Sequence, residues 1–184
     1  MRPELVARAQ SGDREAFDAL ATALYDRLYA VGRRILRDGD AAQDAVQEAL
    51  IRGWRDLRSL READRFEAWM HRLLVRACYD QTRRRHRLDV RIRPIDAARS
   101  DPADDMAVVA HRDELERAFL KLSVEQRAVL VLTHYVGMPA ADVGQTLGIP
   151  VGTVHSRLHY AIRAMRIALA HASTDDRAVG EFGR

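Results

Sequence analysis

The chain has 184 residues, 30 Lys and Arg against 27 Asp and Glu, a formal net charge of +3 and a single cysteine. That length allows one large or two small domains with real cores, while the lone Cys78 excludes an internal disulfide and a cysteine-based zinc finger and reads as a small buried hydrophobe. No apolar run approaches the roughly 20 residues of a membrane span, and the opening MRPELVARAQSGDREAF lacks the apolar stretch of a secretion signal, so a cytoplasmic chain without its own membrane segment is expected.

Helical patterning recurs throughout and almost nothing alternates with strand periodicity, which predicts an all-α fold. Helices are expected near 3–10, 13–37, 39–57 and 64–86, forming one small domain over 1–87. Others are expected near 105–121, 123–136, 140–147 and 152–171, forming a second over 105–171. The segment 88–104, with Pro94, Pro102 and several Asp, is too polar and Pro-interrupted to join either core and reads as a flexible linker. The last residues, 172–184, read as a frayed tail.

In the first domain, the stretch DAAQDAVQEALIRGWRDL separates into two faces. Ala42, Val46, Ala49, Leu50, Gly53 and Leu57 fall on one side, and Asp44, Gln47, Glu48, Ile51 and Arg55 on the other. An acidic patch with an isoleucine in its middle suits a protein partner carrying basic residues, central burial and rim charge dividing the work. A solvated helix with one stray Ile is the competing reading.

The next helix, RFEAWMHRLLVRACYDQTRRRHR, combines apolar anchors with a cationic end. Phe66 and Trp69 read first as core, but aromatic rings beside arginines also offer what single-stranded nucleic acid needs, a stacking surface and charges along the backbone. Eight arginines stand between Arg72 and Arg93 against Asp80 and Asp89, followed by four aspartates and one arginine from Asp96 to Asp105. Lys121 is the one lysine, so nearly every cation is a guanidinium able to grip phosphate with two parallel hydrogen bonds.

Residues 139–169, PAADVGQTLGIPVGTVHSRLHYAIRAMRIAL, predict two short helices around a turn. Gly148 can take the left-handed angle of a helix stop, Pro150 fixes the turn, and the Thr153 hydroxyl can cap the second helix. On that helix Val154, Leu158, Ala161, Ile162 and Met165 face one way and Ser156, His159, Tyr160 and Arg163 the other. No carboxylate occurs from Val143 to Thr174, whereas Arg157, Arg163 and Arg166 do, so the local field attracts phosphate. An ordinary helical hairpin with a solvated basic face is the plain alternative.

Three blocks in this order, LYAVGRRILRDGDAAQDAVQEALIRGWRDL, FEAWMHRLLVRACYDQTRRR and LSVEQRAVLVLTHYVGMPAADVGQTLGIPVGTVHSRLHYAIRAMR, resemble the extracytoplasmic-function (ECF) sigma factors of bacterial RNA polymerase, in the family's regions 2 and 4. The resemblance implies a transcription initiation factor rather than an enzyme, with no cofactor or metal. It implies docking on the clamp helices of the polymerase's largest subunit through Asp44, Gln47, Glu48 and Ile51, with the flap of the second subunit a further contact. It implies opening and holding of the minus-10 promoter element by the 66–87 segment, with Arg76, Arg83, Arg84 and Arg85. It implies minus-35 readout in the major groove by Thr153, His155, Ser156, Arg157 and His159, with Arg163 near phosphate; groove contacts specify and phosphate contacts position. Promoter DNA and an anti-sigma factor are the other partners of such proteins. Two departures stand out: Arg76 where many relatives have Asn, at the loop that pockets a flipped minus-10 base, and Tyr160 where a basic residue is common.

Other classes predict other behaviour. A stand-alone helix-turn-helix regulator would bind its operator without polymerase. A metal-dependent enzyme would use His155 and His159, but no Glu follows the first His and no third ligand is near in sequence. A helical adaptor binding only protein would not need the arginines after Tyr79.

Overall fold

The computed structural model describes residues 3–89 and 115–181, and among these there is no strand. The expected linker beyond Asp89 and the expected 105–121 helix before residue 115 lie outside them. In chain order the helices are α1 (Pro3–Gln10), α2 (Arg14–Leu36), α3 (Gly39–Asp56), α4 (Phe66–Asp89), α5 (helical over 115–120), α6 (Val124–Leu130), α7 (Ala140–Leu147) and α8 (Val151–Glu181).

Local chemistry sets the boundaries. The Asp13 carboxylate accepts the Ala16 N–H at 3.0 Å to start α2, and Asp38 accepts the Ala41 N–H at 2.8 Å to start α3. Ser123 and Gln126 bond each other's backbone N–H at the start of α6, a reciprocal box. Helix α2 ends on Arg37, whose φ of +59° is unusual for a side chain with a Cβ. That guanidinium is held by Glu116 at 2.8 Å, which helps keep the residue in place. At its C-terminal end α6 widens into a π-helical turn, Val131–Tyr135, closed by the Val136 N–H on the Val131 carbonyl at 3.0 Å.

Helices α1 to α4 and the 3-10 turn Leu57–Ser59 after α3 bury Leu20, Leu24, Leu28, Ile35, Leu57, Phe66, Met70 and Leu74. Each such side chain contributes on the order of 1.5–3 kcal/mol by leaving water. Small residues let α3 lie close: Ala42, Ala45 and Ala49 are buried, and a Cβ at Gly53 would sit 2.9 Å from Met70 Sδ. The second unit buries Val124, Ala128, Val129, Leu132, Val143, Val154 and Ala161.

Two bundles match the expected pair of domains, but they also abut along a shared seam that periodicity did not reveal. Their cores join in one apolar cluster. Arg34 of α2 stacks over Tyr135, Arg37 pairs with Glu116, and the Arg65 Nη1 donates to Gln145 Oε1 at 2.9 Å. Helix α8 is also longer than expected. Its backbone stays helical to Glu181, where a frayed tail from 172 was anticipated; the stretch has no proline and no glycine before Gly180 to stop it.

Candidate nucleic-acid interface

The outer face of α3 carries Asp44 and Gln47, both exposed, and Ile51, which is 64% exposed. One turn on, Trp54 leaves 41% of its surface in water while its ring rests against Phe17 at 5.1 Å. Trp54 extends the apolar centre of this face and was missed from sequence, although its i+3 spacing from Ile51 was the available signal. Glu48 is not a lone carboxylate: it accepts from Arg52 Nε at 2.8 Å.

Helix α4 presents the arginines. Phe66 is fully buried and supplies no stacking surface, whereas Trp69 is half-buried and lines a cleft of about 480 Å3 with Arg58, Ser59, Arg72 and Arg76. Arg76 stands within the helix rather than on a loop, and it meets the connection after α3 across this cleft. Arg55 and Asp56 at the rim form a two-bond fork at 2.8 and 3.0 Å, which holds the Asp56 carboxyl below the usual carboxylate range. Arg58 and Arg72 were not singled out from sequence; Arg72 lies one turn before Arg76 on the same face.

Further along α4, Arg83 and Arg84 are exposed and make no ion pair among the described residues. Arg85 differs. Its Nη2 donates to Asp38 Oδ2 at 2.8 Å, tying the basic end of α4 to the start of α3. The Ala41 N–H and then Arg85 depress the Asp38 pKa, partly opposed by burial. Cys78 is fully buried, and burial pushes its thiol up to about 12, so it is inert packing.

Helices α7 and α8 form the expected helix-turn-helix. Gly148 adopts φ +68°, and its N–H and that of Ile149 both reach the Gly144 carbonyl. The start of α8 corrects one expectation: Thr153 lies inside the first turn, its N–H donating to the Pro150 carbonyl at 2.9 Å, so no hydroxyl cap begins the helix among the described hydrogen bonds. Val154 and Ala161 are buried; His155, Ser156, His159 and Arg163 are exposed on the far side beside Tyr160, which is edge-on to His159 at 5.9 Å. Thr153 and Arg157 are half-buried on the flank, and the Arg157 charge is felt by the Tyr79 phenol of α4. Of the five expected groove readers, His155, Ser156 and His159 therefore share the open face with Arg163, the expected phosphate contact, while Thr153 and Arg157 lie on its flank.

An acidic and apolar helix face, an arginine-lined cleft and a helix-turn-helix thus occur together on one helical chain of two bundles. Residues 20–88 match the Sigma-70 region 2 family, and residues 112–165 match Sigma-70, region 4. The chain is 33% identical over 178 residues to the ECF RNA polymerase sigma factor SigM of Mycobacterium tuberculosis, covering 93% of this chain and 86% of that one. It is 34% identical over 168 residues to SigL of the same species, covering 86% of this chain and 94% of that one. Among solved structures, CnrH in complex with the cytosolic domain of CnrY superposes with a TM-score of 0.64 at 27% identity, over 92% of this chain and 97% of that one. The chain belongs to the ECF sigma factors, and it is an RNA polymerase sigma factor that acts in transcription initiation. A stand-alone regulator is not favoured. No helix among the described residues is long and apolar enough to cross a membrane.

Proposed function

We propose that α3 docks on the polymerase clamp helices with Asp44, Gln47, Glu48 and Ile51, with Trp54 enlarging the apolar centre. The Trp69 and Arg76 cleft, flanked by Arg83 and Arg84, takes the opened minus-10 strand, with Arg85 adding charge once released from Asp38. His155, Ser156 and His159 enter the major groove at minus-35 with Arg163 near phosphate, while Thr153 and Arg157 approach from the side. The observation that carries this reading is the joint presence of an arginine-rich cleft beside a half-buried tryptophan and a separate open helix face bearing no carboxylate.

No covalent chemistry is required of the chain. Opening a base step costs roughly 1–2 kcal/mol of stacking, and stacking a base on an aromatic or guanidinium plane returns about 1–3 kcal/mol, so a few captured bases suffice. The chain acts where polymerase acts, in the cytoplasm. CnrH is seen with the cytosolic domain of CnrY, which supports restraint of this chain by an anti-sigma partner as well.

In-vitro transcription from a genomic library by core polymerase, with and without the chain, tests the reading. New start sites preceded by two shared sequence elements are expected; sequence-specific operator binding by the chain alone at physiological salt would overturn it.

A further inference from the structure

Arg52 serves two faces at once. From α3 its Nε donates to Glu48 Oε1 at 2.8 Å, and its Nη2 donates to Asp80 Oδ2 of α4 at 3.0 Å. Glu48 belongs to the docking face. Asp80 follows Arg76 by four residues and precedes Arg83 and Arg84 by three and four, so it lies among the arginines of the DNA face. It is the one carboxylate in α4 between Glu67 and Asp89. The Arg52 side chain is 22% exposed, so these bonds are partly shielded from solvent. One guanidinium thus serves two carboxylates, Glu48 on the docking face and Asp80 on the DNA face, and its charge is divided between them.

Resting on the assignment of α3 to polymerase and α4 to minus-10 DNA, we propose that Arg52 is a positioning residue that couples docking to promoter binding. When a basic group of the polymerase takes Glu48, Arg52 is left to neutralise Asp80 alone. The arginine face of α4 then loses its embedded negative charge and holds phosphate more tightly. Coupling of this kind is reciprocal, so bound DNA strengthens docking by the same factor. A unit charge removed at about one helical turn from a phosphate changes affinity by roughly three- to tenfold in a partly screened setting.

The test uses the full chain, core polymerase, and a fluorescent single-stranded 15-mer of mixed sequence, since the effect does not depend on bases. Glu48→Gln is expected to weaken docking to core yet raise the affinity of the unbound chain for the 15-mer about three- to tenfold. Arg52→Gln should lower that affinity by a similar factor, and adding Asp80→Asn to it should restore binding, which a purely structural Arg52 would not permit. Wild-type DNA affinity in Glu48→Gln overturns the proposal, as does an Arg52→Gln/Asp80→Asn pair that binds no better than Arg52→Gln. If Arg52→Gln does not fold, Glu48→Gln decides alone. Docking of Asp44→Lys and Ile51→Ala to core separates the two claims: intact docking there sinks the α3 assignment, whereas lost docking with an unresponsive Glu48→Gln sinks only the coupling.

Discussion

The guanidinium carbon of Arg34 lies 3.7 Å from the ring centroid of Tyr135, joining α2 of the first domain to the π-helical turn of the second. Nearby, Arg37 reaches both Glu116 and the Phe119 ring. The seam is therefore made of cation–ring and ion-pair contacts over a small apolar centre.

Removing that stack should cost little but measurably. Arg34→Ala and Tyr135→Ala are each expected to lower stability by about 0.5–1 kcal/mol, and the double variant by less than the sum of the two, as read from urea unfolding.

Asp38 does two tasks, capping α3 and holding Arg85. Asp38→Ala should destabilise by about 1 kcal/mol, while Asp38→Asn, which can still cap, should cost less. Because the folded carboxyl titrates below its ordinary 3.8, its contribution is present above that pH and is lost as pH falls through the lower folded value. Thermal melts between pH 5 and pH 2 of Asp38→Asn against the parent chain check the sign.

His71 is 2% exposed, and its Nδ1 lies 2.8 Å from the Glu67 carbonyl, which fixes the proton on that nitrogen in the neutral ring. Burial lowers its pKa below 6.5, opposed by the Glu67 bond and charge, while Arg27 on the same carboxylate adds to the lowering. An unfolded chain therefore takes up a proton before the folded one does. Stability should fall as pH drops below about 6.5, by at most about 1.4 kcal/mol per pH unit, and this slope should vanish in His71→Gln. Denaturant titrations at pH 7.5, 6.5 and 5.5 measure it.

Two glycines should respond differently to alanine. A Cβ at Gly53 meets the flexible end of Met70, which can move, but one at Gly144 would lie 2.9 Å from the Ile149 carbonyl oxygen, which is backbone. Gly144→Ala is expected to destabilise by about 1–3 kcal/mol and to weaken minus-35 binding, with Gly53→Ala the milder of the two. Calorimetry and footprinting of the polymerase complex report both effects.

Arg83→Ala and Arg84→Ala should each weaken minus-10 DNA binding whatever the sequence, and each should reduce the salt slope by about 0.7 for a single strand. A plot of log affinity against log salt gives the answer directly.

Helix positions and the helix-turn-helix were legible because they depend on local signals: the 3.6-residue period of Val154, Leu158 and Ala161, and a glycine at 148 where only a left-handed residue closes the turn. The open faces of α3 and α8 followed from the same arithmetic. What stayed hidden depends on meetings between distant residues. Nothing in the local pattern says that Arg52 reaches Asp80, that Arg85 turns back to Asp38, or that Arg65 meets Gln145. Phe66 and Trp69 are three residues apart and both aromatic, yet one is core and the other edges the cleft, a difference that depends on which distant residues surround each.

The widened turn at Val131–Tyr135 has a consequence for insertions and deletions. A π turn accommodates one residue more than an α turn, and each residue rotates a helix by about 100°. Deleting one position there would swing the Tyr135 ring to another bearing, away from its guanidinium, and would re-aim the entry to Gly137. Residues 131–135 thus behave like an indexing notch, and chain length at this point governs which way the DNA-reading half faces its neighbour.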